Sequence, residues 1–148
     1  MIKIGITGSL ASGKTTASKI LSLRRGPLFS ADKAVKELYK SKQFKSLVSR
    51  RFRIKNNSKL KKSLKKLILK NKNSIKELEK IIHPLVRKKM KNFTSQNRNK
   101  KLLFYEIPLL IESKLTKHFN VIVFIKDKKQ LRLKRFQSKN GDKTLFKD

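Results

Sequence analysis

Cysteine is absent from the 148 residues, so disulfides, thiolate metal sites and a cysteine nucleophile are all excluded. Acidic residues are scarce: 9 Asp and Glu stand against 41 Lys and Arg, a formal net charge of +32. No apolar run is long enough to cross a bilayer. The apolar start MIKIGITGSL reaches Gly8 before a signal-peptide core is complete. The aromatic residues form no RNA-binding signature. These absences leave a cytoplasmic protein without membrane association as the expectation.

What is present fits one domain. With 37% hydrophobic residues, the chain can bury a single substantial core. Its cationic excess attracts polyanions, but the lysines are spread along the chain instead of gathered in an arm. Nucleic acid is thus expected to bind only non-specifically, with the lysines filling solvated positions.

Residues 1–7 form a β-branched apolar run ending at Gly8, the pattern of a strand that feeds a turn. Ala17, Ile20 and Leu21 then predict a helix that stops near Gly26-Pro27. Leu28 and Phe29 make a brief second strand, and Ala34, Val35 and Leu38 restore helical spacing. From Lys42 to about Asn99 the pattern is helical and basic, broken around residues 55–58, where Ser58 is placed to cap the next helix. A further amphipathic stretch runs from Ile75 to Met90, and Pro84 is expected to end or kink it. LLFYEI at 102–107 and FNVIVFI at 119–125 read as strands covered on both faces, hence parallel. The fold class is α/β, with helices flanking a parallel sheet.

Residues 8–15, Gly8-Ser9-Leu10-Ala11-Ser12-Gly13-Lys14-Thr15, match G-x-x-x-x-G-K-[ST] in full between a strand and a helix. Glycines let successive N–H groups converge on phosphate oxygens, and the helix N-terminus adds a favourable dipole. Lys14 is placed to reach the β- and γ-phosphates of ATP, Thr15 to ligate Mg²⁺ through its hydroxyl, and Thr16 to complete the cradle. The loop alone does not name the acceptor.

Several residues bear on that choice. Asp32 opens a helix at the carboxyl edge of the sheet, where it serves either as a base for an attacking hydroxyl or as a helix cap. Glu106 ends a strand where a carboxylate orients Mg²⁺, directly or through water. Glu112 follows in a short helix, as a functional group or as a surface charge. His83 precedes Pro84, and a lone histidine there reads more readily as a packed, hydrogen-bonded residue than as a catalyst.

In order, the segments GSLASGKTT, SADKA, LEKIIHPLVR, YEIPLLIE and QLRLKR resemble the dephospho-coenzyme A kinase family from end to end. Leu78, Glu79, Ile81, His83, Pro84, Leu85 and Val86 match one family segment, and Pro108, Leu109, Leu110 and Glu112 match another. The resemblance implies a P-loop NTPase fold with core 1–41 and 100–148 and a helical coenzyme A-binding insertion at about 42–99. It implies ATP-dependent phosphorylation of the ribose 3′-hydroxyl of dephospho-coenzyme A, with Asp32 as base. His83, Pro84 and Arg87, together with Pro108, Leu109 and Glu112, would hold the acceptor, and Arg135 and Lys139 would belong to the lid. Ser30 stands where many members carry another aspartate, and Lys139 where an arginine is usual. The chain stops at Asp148, inside what should be the lid, so truncation with an incomplete lid and last strand is expected. Rival readings are another small-molecule P-loop kinase, an inactive fragment, and a basic nucleic-acid-binding protein with a vestigial nucleotide site.

Overall fold

A computed structural model describes residues 1–139. Its chain divides into two compact units, one of Met1–Ala31 with the chain from Phe93 onward, the other of Asp32–Asn92.

In the first unit, alternating Ile2, Ile4 and Ile6 make β1 (Ile2–Gly8), the strand on which the sheet is built. Parallel neighbours flank it: β3 (Leu102–Glu106), with Ile6 opposite Glu106, and β4 (Val121–Ile125), with Gly8 opposite Ile125. Outside β3 lies β2 (Leu28–Ser30), with Ser30 opposite Glu106, so the described sheet has the order β2-β3-β1-β4. Parallel pairing brings Gly8, Ser30, Glu106 and Ile125 to one edge, the carboxyl edge where open α/β sheets bind ligands. Helix α1 (Lys14–Ser22) leaves that edge directly from the glycine loop.

The core of this unit is aromatic. Tyr105 packs against Phe93 and Phe119 at ring-centroid distances of 5.4 and 5.3 Å, and Phe29 lies 5.6 Å from Phe93. Such pairs contribute about 0.5–1.5 kcal/mol each beyond their area. The buried Tyr105 hydroxyl meets Thr94 Oγ1 at 2.7 Å, and burial pushes its phenol above the usual range.

β4 departs from its sequence reading. Val121, Ile122 and Phe124 are 48, 38 and 51% exposed, whereas β3 is buried almost throughout. The reason is position: β4 stands at the edge of the described sheet, and an apolar run records a wish for cover, not which neighbour supplies it.

The second unit is helical: α2 (Ala31–Leu38), α3 (Lys42–Phe52), α4 (Leu60–Lys70) and α5 (Lys72–Gln96), the last ending in residues of the first unit. Leu38, Phe44, Val48, Leu64 and Leu78 form its core, with Ile81, Ile82, Leu85 and Val86 packed against them. Ser41 caps α3, its hydroxyl accepting from Phe44 N–H. The expected cap at Ser58 is not used. The residue before α4 is Lys59, whose N–H is instead taken by the Asn57 side chain at 2.9 Å, an Asx turn that outcompetes the serine. Pro84 does not end its helix either: α5 continues through it. Leu78, Ile81 and Ile82 before the proline and Leu85 and Val86 after it all enter one core, which offsets the missing N–H.

The expectation of an incomplete lid and last strand concerns the chain beyond Lys139, which lies outside the described residues. Among the described residues no helix is long and apolar enough to cross a membrane.

Candidate active site

The glycine loop is shaped by its backbone first. Gly8 has φ +151°, and a Cβ there would fall 2.1 Å from the carbonyl oxygen of Ile125, so the end of β4 presses directly on the loop's first residue. Gly13 has φ +87°, a conformation that side chains rarely adopt, and it caps α1. Ala11 also lies at positive φ, 58°, and Ser12 donates its N–H to Ser9 O at 3.2 Å, which closes the turn. Lys14, first residue of α1, folds back to donate to Gly8 O and Ser9 O, both at 2.8 Å. Its ammonium therefore lies within the loop, over the backbone the phosphates would meet.

Thr15, one residue on, donates its hydroxyl to Glu106 Oε1 at 2.5 Å. The carboxylate comes from the last residue of β3 and is 2% exposed, in register with Ile6 of β1 and Ser30 of β2. Two oxygen ligands of the hard type that suit Mg²⁺ thus meet beside Lys14. Among the described residues no group of three or more His, Asp or Glu gathers as for a tightly held ion.

Arg135, on α6 (Lys129–Ser138), comes from the helix that follows the loop-facing end of β4. One of its terminal nitrogens donates to Ala11 O at 3.4 Å and to Asp127 Oδ2 at 2.5 Å. Asp127 Oδ1 accepts from Lys128 N–H at 2.7 Å. The Lys128 amide first, and the Arg135 guanidinium second, hold the Asp127 carboxyl below the usual carboxylate range. The first unit therefore brings together Gly8 to Thr15, Glu106 and Arg135. Thr16 follows in the first turn of α1, exposed. Lys139, the C-cap of α6, is exposed and donates its backbone N–H to Phe136 O.

The remaining candidates occupy other settings. Residues 108–114 form successive turns, not the short helix expected around Glu112, because Leu109 and Lys114 both take positive φ, 55°. Glu112 is exposed. Leu109 is 63% exposed while Leu110 is fully buried, so one leucine of the pair anchors the turn and the other faces outward. Ser113 ties the turn back to Leu109 O through both its N–H (2.9 Å) and its hydroxyl (2.7 Å).

In the second unit, α2 begins at Ala31, which puts the exposed Asp32 inside the first turn and not at the cap position. A carboxylate there still gains from the helix dipole. His83 is exposed, as are Pro84 and Arg87, so the histidine is not the packed residue its setting suggested. Helical spacing sets His83 and Arg87 on one face, four residues apart. The same unit contains a pocket of about 640 Å³ with Leu38, Phe44, Leu47 and Leu85 among its apolar lining and Lys42 and Arg50 as its cations. Sequence reasoning missed Asp127. Its signal was available: one of nine acids, two residues past a strand and eight before an arginine already singled out.

A family model for dephospho-CoA kinase matches residues 2–144. The chain belongs to the dephospho-CoA kinase family. Among its relatives is the dephospho-CoA kinase of Bartonella quintana, 38% identical over 126 residues that make up 82% of this chain. The chain spans 65% of the length of that relative. The dephospho-CoA kinase of Rickettsia prowazekii is 36% identical over 91% of this chain and 70% of its own length. A Thermus thermophilus protein of known crystal structure has the same fold, with a TM-score of 0.81 at 24% identity over 97% of this chain and 75% of its own. Family membership thus agrees with the α/β sheet and its parallel strands.

Proposed function

We propose that the chain transfers the γ-phosphoryl group of ATP to the ribose 3′-hydroxyl of dephospho-coenzyme A, giving coenzyme A and ADP. The observation that carries this reading is the convergence of Lys14, Thr15 and Glu106 at the phosphate loop of a dephospho-CoA kinase family member.

Gly8 to Thr16 bind the triphosphate, and Lys14 exchanges its two carbonyl partners for phosphate oxygens. Thr15 and Glu106 are the residues that would hold Mg²⁺. A hydroxyl and a carboxylate suit an ion that takes few protein ligands and completes its shell from water and the nucleotide. An ion held by these two residues would supply positive charge to offset that of the triphosphate. Asp32 accepts the proton of the 3′-hydroxyl as its oxygen attacks the γ-phosphorus in line. The bond from that phosphorus to the bridging oxygen breaks, and ADP leaves with the electron pair. Little covalent chemistry falls to the protein, so positioning and electrostatics dominate the rate.

The acceptor is held by His83, Pro84 and Arg87 on α5 and by Pro108, Leu109 and Glu112 in the turns after β3. Arg87 supplies a planar two-pronged donor for a phosphate. The second unit's pocket supports the same acceptor, because a lining of apolar residues with Lys42 and Arg50 suits a phosphate-bearing chain of amides and methylenes.

The test is an ADP-coupled assay of this chain with ATP, Mg²⁺ and dephospho-coenzyme A, run beside a nucleoside and a shikimate-like acid. Turnover is expected with dephospho-coenzyme A alone. Faster turnover with either other acceptor would replace this reading by a different small-molecule kinase.

A further inference from the structure

One carboxylate beside the phosphate loop has no part in the reaction just described. Asp127 lies two residues past β4, whose last residue, Ile125, presses its carbonyl against Gly8. A negative group so close to a loop that must gather phosphate oxygens opposes anion binding, and in a chain with 9 acids against 41 bases its presence there calls for a reason.

Geometry supplies the reason. One carboxylate oxygen is fixed by the Lys128 amide at 2.7 Å, and the other receives Arg135 at 2.5 Å. The Arg135 side chain is 47% exposed and would otherwise sample many rotamers. With Asp127 in place, the guanidinium is held over the loop, in reach of Ala11 O at 3.4 Å and 3.9 Å from where a Cβ on Gly13 would stand. We propose that Asp127 is the positioning residue for Arg135, orienting the guanidinium so that it meets the phosphates of a nucleotide seated on the loop.

The pair need not break for this to happen. A guanidinium has five N–H donors in a planar fork, so Arg135 can keep one on Asp127 and turn others to phosphate oxygens. Asp127 thus trades a small direct repulsion of the nucleotide for the orientation of a strong, charge-assisted donor. This inference rests on the loop binding a nucleotide, and it concerns how tightly the nucleotide is held, not which acceptor is phosphorylated.

The sign of the effect separates positioning from mere proximity. A carboxylate that only stands near the site would, on neutralisation, make nucleotide binding tighter. A positioning carboxylate makes it weaker. The experiment is a titration of the chain with a fluorescent ATP analogue and Mg²⁺, followed in wild type, D127N, D127E, R135A, the D127N/R135A double variant and K14A. R135A is expected to weaken binding about 10- to 100-fold, the scale of a hydrogen bond to a charged group. D127N should weaken it by about fivefold, a part of that, and D127E, which keeps the charge, should recover most of the loss. In the R135A background, D127N should cause no further weakening. Equal or tighter binding by D127N with Arg135 present overturns the proposal, as does the same loss in both backgrounds. D127E checks against misfolding: binding as poor as D127N in a variant with wild-type circular dichroism overturns it too. Wild-type protein that binds no nucleotide, or binds it as well after K14A, sinks the nucleotide reading itself and the inference with it.

Discussion

The two units of this molecule hold their candidate residues in opposite ways. In the first, the site is fixed by backbone: Gly8 and Gly13 take conformations other residues resist, Ile125 abuts Gly8, and Thr15 reaches a nearly inaccessible Glu106. In the second, Asp32, His83, Pro84 and Arg87 stand exposed on helices whose buried faces are ordinary leucine, isoleucine and valine packing. The difference teaches where a sequence speaks plainly. A phosphate loop is written in residue types that its geometry demands. An acceptor surface is written in side chains that a bare helix does not require, so only likeness to a family picks them out.

The sharpest way to break the comparison is at Asp32. If the second unit carries chemistry and not only contacts, Asp32→Asn should lower kcat with dephospho-coenzyme A by roughly 10²- to 10⁴-fold, the usual scale for a general base. Nucleotide affinity, which belongs to the first unit, should stay as it was. Steady-state kinetics beside a nucleotide titration reads both. An unchanged kcat removes Asp32 from the role of base and leaves the second unit as a binding surface alone.

Gly8→Ala tests the other side. The new Cβ would lie 2.1 Å from a backbone carbonyl that cannot move without breaking the β1–β4 register. A loss of about 3 kcal/mol is expected, since the backbone is also forced into a conformation alanine disfavours. Chemical denaturation measures it. A loss below about 1 kcal/mol would mean that the loop is not held by its backbone, and the contrast between the units would fail.

That contrast also explains which readings of the sequence came through. The β-branched apolar run that ends at Gly8, the eight-residue loop, and Glu106 at the end of an apolar run were all legible, because each is tied to residue types a strand or a loop demands. The readings that Ser58 caps a helix, that Pro84 ends one and that Glu112 lies in one went otherwise for one shared reason: each depended on competing interactions the local sequence does not rank. Asn57 displaced Ser58, the core beneath α5 outweighed Pro84, and two positive-φ residues replaced a helix around Glu112. Asp127 escaped notice because it precedes α6 and belongs to no strand or helix pattern, so only the folded chain shows its bond to Arg135.

Pro84 offers a smaller and more informative change. A proline inside a 25-residue helix costs about 3 kcal/mol relative to alanine, less whatever its ring restricts in the unfolded chain. Pro84→Ala should therefore stabilise the helical unit by about 1–3 kcal/mol, seen as a rise in the thermal midpoint of its helical circular dichroism. If Pro84 shapes the acceptor surface, KM for dephospho-coenzyme A should rise at the same time, a gain in stability set against function. A stabilised variant with unchanged KM would detach Pro84 from acceptor binding while leaving its structural cost intact.

The smallest effect belongs to Glu77, which receives Arg51 from α3 and Lys80, at 2.9 Å, from its own helix α5. The Arg51 hydrogen bond first, then that of Lys80, pull its carboxyl from an ordinary 4.5 down to about 2. Because the folded value lies below the unfolded one, the pair stabilises the fold above about pH 4.5 and ceases to do so as the pH falls toward 2. Arg51 is 58% exposed in its side chain, so water and salt screen most of the attraction. Glu77→Gln should thus lower the melting temperature by only a few degrees at neutral pH, and by less in high salt. The difference from wild type should close when both proteins are melted near pH 2. A gap that persists in acid would show that Glu77 acts through packing, and that the second unit, like the first, is held by something other than its surface charge.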